Sequence, residues 1–127
     1  YWQPRKPLAA GQPARFAYRL RFTGEPLDAS LARVVGTRIG QALQSDSQRS
    51  FVIDFKGAGP VPPDLRLRVT TSAGQVLAPR GQVVASSGVY RVSFELEPGR
   101  AALAELRAEL FSKGRPWGET WLYRWTR

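Results

Sequence analysis

A chain of 127 residues suffices for one domain with a two-layer core, and its 43% hydrophobic residues include no apolar run long enough to span a bilayer. Cysteine and histidine are both absent, which excludes thiolate or imidazole zinc sites, cysteine nucleophiles and Ser-His-Asp machinery from this stretch. The 19 basic residues against 10 acidic ones leave a formal charge of +9, an attraction for polyanions that an arginine-rich surface also explains without any specific partner.

No metal, cofactor or catalytic residue is expected; carboxylate, arginine and tyrosine are what remains for chemistry. Because the chain holds no methionine and opens on Tyr1, it is expected to be a processed or excised product, with a leader or a whole domain preceding it.

Residues 1–13 carry Pro4, Pro7, Gly11 and Pro13 and read as an extended linker with an aromatic anchor at Tyr1-Trp2. Residues 14–127 read as the domain proper. From Arg15 the chain alternates, with Phe16, Tyr18, Leu20 and Phe22 on one side and Arg15, Ala17, Arg19 and Arg21 on the other, the pattern of a half-buried strand with a basic outer face. After a connection over 23–30, the β-branched stretch Leu31 to Gly40 predicts a strand. The polar run Gln41 to Arg49 reads as a solvent loop.

Phe51, Ile53 and Phe55 against Val52, Asp54 and Lys56 predict the next strand, stopped at Gly57. Leu65, Leu67 and Val69 against Arg66, Arg68 and Thr70 predict another with a basic outer face. Two short strand candidates follow, at 75–77 and 82–85 around Pro79 and Gly81. Tyr90, Val92, Phe94 and Leu96 alternate with Val89, Arg91, Ser93 and Glu95. Residues 101–112 fit a helical stripe and a strand equally. A sheet of short strands needs a partner for its last member, so a turn or short helical cap over 101–104 and then a strand is expected, with a turn at Gly114.

The last stretch places Trp121, Tyr123 and Trp125 on one face and Leu122 and Arg124 on the other. Such a row of rings either forms a wall of the core or an interface, or stands outward as a platform for a sugar, base or protein; aromatics at strand spacing favour the buried reading. Together these elements predict an immunoglobulin-like antiparallel β-sandwich of about seven to nine strands.

Function must come from a site. Asp54, Glu95 and Glu119 could supply an acid and a base, but their faces also carry Lys56, Arg91 and Arg124, so cross-strand ion pairs explain them without catalysis. Trp2, Trp121, Tyr123 and Trp125 with Arg15, Arg19, Arg21, Arg66 and Arg68 are the candidate interface or binding residues. A stand-alone basic sandwich binding nucleic acid or an anionic glycan is one reading, though no nucleic-acid module motif is present and charge is its only support. An accessory domain that packs on a larger partner in the same polypeptide is the other.

Several blocks favour the second. Tyr1-Trp2-Gln3-Pro4, Phe16-Ala17-Tyr18-Arg19-Leu20, Arg33-Val34-Val35-Gly36-Thr37-Arg38-Ile39-Gly40, Phe51-Val52-Ile53-Asp54-Phe55 and Glu119-Thr120-Trp121-Leu122-Tyr123-Arg124-Trp125, in that order along nearly the whole chain, closely resemble the C-terminal domain of the periplasmic glucans biosynthesis proteins G and D. The resemblance implies a periplasmic protein acting on osmoregulated glucans with a β-1,2-linked backbone. It also implies a small immunoglobulin-like domain behind a large carbohydrate-active N-terminal domain, its partner in the same chain. Glucan cleavage, where attributed to the family, belongs to that N-terminal domain, so no catalytic residue carries over. The sequence departs from the family pattern at Gln41 to Gln48 and at Ala101 to Glu105.

Overall fold

A computed structural model describes residues 9–13, 15–17, 30–57 and 59–127 of the protein. The strand expected from Arg15 to Phe22 falls mostly outside these residues, as do Trp2, Arg19 and Arg21; Arg15 to Ala17 are described and are not in a strand. The fold that follows is that of the described residues.

Eight strands form it: β1 (Arg33–Ala42), β2 (Ser45–Lys56), β3 (Arg66–Thr71), β4 (Gln75–Val84), β5 (Val89–Glu97), β6 (Leu103–Ser112), β7 (Arg115–Pro116) and β8 (Trp121–Thr126). One sheet has the order β1-β2-β5-β4; in the other β6 is central, pairing with β3 on one side and with β7 and β8 on the other. All of these ladders are antiparallel. Leaving the two-residue β7 aside, this is the ABED and CFG arrangement of a constant-type immunoglobulin sandwich.

The alternation in the sequence decides which side chains face inward. Phe51, Ile53 and Phe55 of β2 lie opposite Phe94, Val92 and Tyr90 of β5, and from the other sheet Ala104, Leu106, Ala108 and Leu110 of β6 close on them with Trp121 and Trp125. Fully burying each large member of this set contributes about 1.5–3 kcal/mol. Aromatic packing centres on Phe51, stacked on Phe94 at 5.0 Å and met edge-on by Trp121 at 6.0 Å. Both rings of the first sheet therefore rest on the last strand of the second.

The structure changes three of the local expectations. Gln41 to Arg49 is no loop: β1 runs to Ala42, the chain turns at Leu43-Gln44, and β2 begins at Ser45. Here Ala42 alone is buried and the other side chains are mainly polar, so apolar alternation is absent, and side chains hold the ribbon instead: Ser47 Oγ donates to Glu97 Oε2 at 3.0 Å and Arg49 Nη1 to the carbonyls of Asp46 and Gln48. The candidates at 75–77 and 82–85 are one strand, β4, interrupted by a bulge between Leu77 and Arg80 where Ala78 sits at φ 47°.

The turn or short helical cap expected over 101–104 gives way to strand: the turn lies earlier, at Gly99-Arg100, and the expected strand, β6, already starts at Leu103, paired with Thr126. A helix there would have withdrawn Ala104 from its place opposite Trp125. Lys113 and Gly114, both at positive φ (50° and 74°), make the two-residue turn from β6 to β7, a geometry that suits the right-handed twist of the strands it joins.

Candidate functional site

Register brings the charged residues of the outer faces together. On the four-stranded sheet Asp54 lies opposite Arg91, whose Nε and Nη2 donate to its two carboxylate oxygens at 2.7 and 2.9 Å, while Arg38 of β1 donates from the other side at 2.7 Å. Asp54 is only 7% exposed. The hydrogen bond from Arg91, helped by that from Arg38 and by both positive charges, outweighs burial and holds its carboxyl down to about 2.

The second sheet repeats the device. Glu109 of β6 takes Nε and Nη2 of Arg68 on one oxygen and Nη2 of Arg107 on the other, and its carboxyl is likewise lowered, chiefly by Arg107. Arg68 also lies over the Phe111 ring, 5.0 Å from its centroid. Nearby, Arg124 pairs with Glu105.

The three carboxylates considered from sequence are not assembled into an acid and base pair. Asp54 is clamped by arginines; Glu95 faces Ser50 across the ladder. Glu119 precedes β8, and its Oε2 accepts the Val34 amide at 3.0 Å, while its own N–H donates to the Ala32 carbonyl at 2.8 Å. Its work is to fasten the start of β1 to the second sheet. The partner of Arg124 is Glu105, a residue the sequence reading did not single out. Among the described residues no group of three or more acidic side chains gathers as a metal site would require, and no helix is long and apolar enough to cross a membrane.

Of the candidate binding residues, Trp121 and Trp125 are 5% and 6% exposed and belong to the core. The Trp121 indole N–H donates to Thr37 Oγ1 at 3.0 Å, joining β8 to β1. Tyr123 stacks on Trp121 at 5.7 Å and keeps 37% of its surface at the sandwich edge, so the row presents one ring to solvent rather than three. Arg66 and Arg68 stand on the outer face of β3 beside Phe111, Asp64 and Lys113, around an open hollow of about 490 Å³; Arg15 is exposed. Sequence reasoning missed Arg38, Arg107 and Glu109, because their roles depend on register. A second hollow, of about 270 Å³, lies under the β1–β2 turn between Leu43, Gln44, Ser50, Ala78, Arg80, Ser93 and Glu95.

The described residues thus form an immunoglobulin-like sandwich whose two most buried carboxylates are each tied to a pair of arginines. The model of the family described as periplasmic glucan biosynthesis protein, MdoG, matches residues 1–125, and the chain belongs to that family. It is 42% identical to a glucans biosynthesis protein G of Shewanella sp. (strain MR-4) over 99% of its length, and 39% identical to one of Vibrio cholerae over the same share. The chain spans about a quarter of the length of these curated relatives, 24% in both.

Proposed function

We propose that the chain acts as a non-catalytic accessory domain in the biosynthesis of periplasmic glucans, packing against a larger carbohydrate-active part of the same polypeptide, in the periplasm. The observation that carries this reading is the arginine clamp: a carboxylate held ionised between two guanidinium groups neither gives up a proton near neutral pH nor is free to take one. Asp54 and Glu109 are both so held. Membership of the family supports the pathway, and the relatives' greater length supports a partner within the polypeptide. Drawing Arg38, Arg91, Arg68, Arg107 and Arg124 onto carboxylates also leaves the alternative of a general polyanion binder with less free charge than the composition suggests.

The test is turnover. Incubated with β-1,2-glucan, the purified chain is expected to release no oligosaccharide and to extend none, by chromatography of the products. Turnover that Asp54→Asn or Glu119→Gln abolishes would overturn the reading.

A further inference from the structure

The hollow beneath the β1–β2 turn differs from the two arginine clamps of the described outer faces, where Asp54 and Glu109 are each ion-paired. Here Glu95, half-buried on β5, takes part in none of the ion pairs of the described residues, and it stands between Ser50 on β2 and Leu77 on β4. The hydroxyl of Ser93 is one step along the same face, and Arg80 donates its Nε to that hydroxyl at 3.1 Å, which fixes the guanidinium and leaves its terminal nitrogens free of ion pairs. Gln44 and the fully exposed Leu43 lean over the hollow from the turn.

Two local irregularities build this place. The bulge between Leu77 and Arg80 re-aims Arg80 toward Ser93, and it does so with Ala78 at φ 47°, a backbone conformation that an alanine adopts at a cost and glycine would not. The extended, polar β1–β2 turn is the second. Asp46 accepts from Gln41, and Ser47 ties the ribbon to Glu97, so the tip is positioned rather than loose. Strain kept where a glycine would relieve it, beside a held turn and an unpaired carboxylate, marks a site more than a packing solution.

From this arrangement we infer that the hollow bounded by Ser50, Arg80, Ser93 and Glu95 binds one hexose-sized unit of a neutral glycan. This rests on the glucan reading above for the kind of chain, and on the chemistry of the hollow for the rest. A carboxylate and a guanidinium lining one hollow offer an acceptor and a donor to neighbouring hydroxyls; serine hydroxyls and an amide do both. The same carboxylate repels a phosphate or a nucleic acid, and one carboxylate alone is too few for a cation. Leu43 supplies apolar surface for the C–H face of a ring. At about 270 Å³ the hollow falls just below the range of drug-sized ligand pockets, which starts at about 300 Å³, so a longer chain would lie across it with one unit seated.

The experiment is a titration of the 127-residue chain, followed by amide chemical shifts, with a linear β-linked gluco-oligosaccharide as the probe. Shifts are expected to concentrate at Gln44, Ser50, Arg80, Ser93 and Glu95. Glu95→Gln should weaken binding by about tenfold or more, since a hydrogen bond to a charged group is lost, with the urea midpoint unchanged; Arg80→Ala should weaken it as well, and Tyr123→Ala should not. Shifts centred on Tyr123, binding by Glu95→Gln within twofold of the parent, or no binding at millimolar probe would each overturn the site. The accessory reading survives all three, because turnover decides it.

Discussion

Along β2, adjacent residues are withdrawn from water for opposite reasons. Ile53 and Phe55 are buried by apolar side chains of both sheets, whereas Asp54 between them is covered by two arginines on the outside. The inner face gains chiefly from buried area; the outer face gains from charge and remains salt-sensitive. The two clamps also differ from each other. Asp54 draws its arginines from the strands on either side, β1 and β5, and so laces three strands, while Glu109 draws one from β3 and one from its own strand. A sandwich without disulfide bonds thus secures its first sheet with a crosslink of ionic kind.

Breaking the inner face should have the largest effect. Trp121→Ala removes an indole packed on Phe51, Phe94 and Tyr123 and is expected to cost about 3–5 kcal/mol, read from urea unfolding followed by far-UV circular dichroism. An unchanged midpoint would show that β8 does not cover the core.

Next comes the three-strand clamp. Asp54→Asn leaves Arg38 and Arg91 without their shared anion, and a loss on the order of 1–2 kcal/mol at neutral pH is expected once solvent screening is allowed for. Its pH dependence has a definite sign. The folded-state pKa, about 2, lies below the unfolded value of 3.8, so the contribution is fully present above the unfolded value and disappears as pH falls through the folded one. Acid titration of the parent should therefore show stability declining between roughly pH 4 and pH 2. Asp54→Asn should flatten part of that decline, and an identical acid limb in the variant would assign the decline to other carboxylates.

Glu109→Gln sharpens the comparison between clamps, because one of its arginines belongs to the same strand and less is crosslinked. A loss of about 1 kcal/mol, smaller than that of Asp54→Asn, is the expected result of thermal or urea unfolding; a larger one would reverse the ranking. Smallest of all is Arg124→Ala. Its pair with Glu105 is 66% and 58% exposed on the two sides, and the urea midpoint should move by no more than about 0.5 kcal/mol equivalent.

How much of this was legible beforehand follows from where apolar alternation exists. β2 from Phe51 onward, β3, β5 and β8 could be read because one of their faces meets the core. The Ser45 to Arg49 half of β2 could not, since a ribbon that overhangs the core shows no period. In β6 the leucines suit a helix as well as a strand, and pairing with β3 and β8 on both sides decides for the strand. That Asp54 shares a face with Arg91 was visible in the two-residue period. That Arg38 reaches the same carboxylate depends on the register that sets Gly36 opposite Asp54 and Arg38 opposite Val52, and no single-strand pattern discloses a register. The hollow at Glu95 was hidden for the same reason: its residues come from three strands and a turn.

The fastening of Ala32 has a mechanical side. Its N–H donates to Trp117 at 2.9 Å, its carbonyl accepts from Glu119 at 2.8 Å, and the bridge between Ala32 and Gly118 is parallel. The fit at position 118 is close: a Cβ there would stand 3.3 Å from the Phe55 ring and 3.4 Å from the Ala32 carbonyl, so the ring would have to give by a few tenths of an ångström. In a parallel pair, tension between the chain ahead of Ala32 and the end of β8 acts along the strands. The bonds are then loaded in shear and must yield together, where an antiparallel hairpin pulled at its open end unzips one bond at a time.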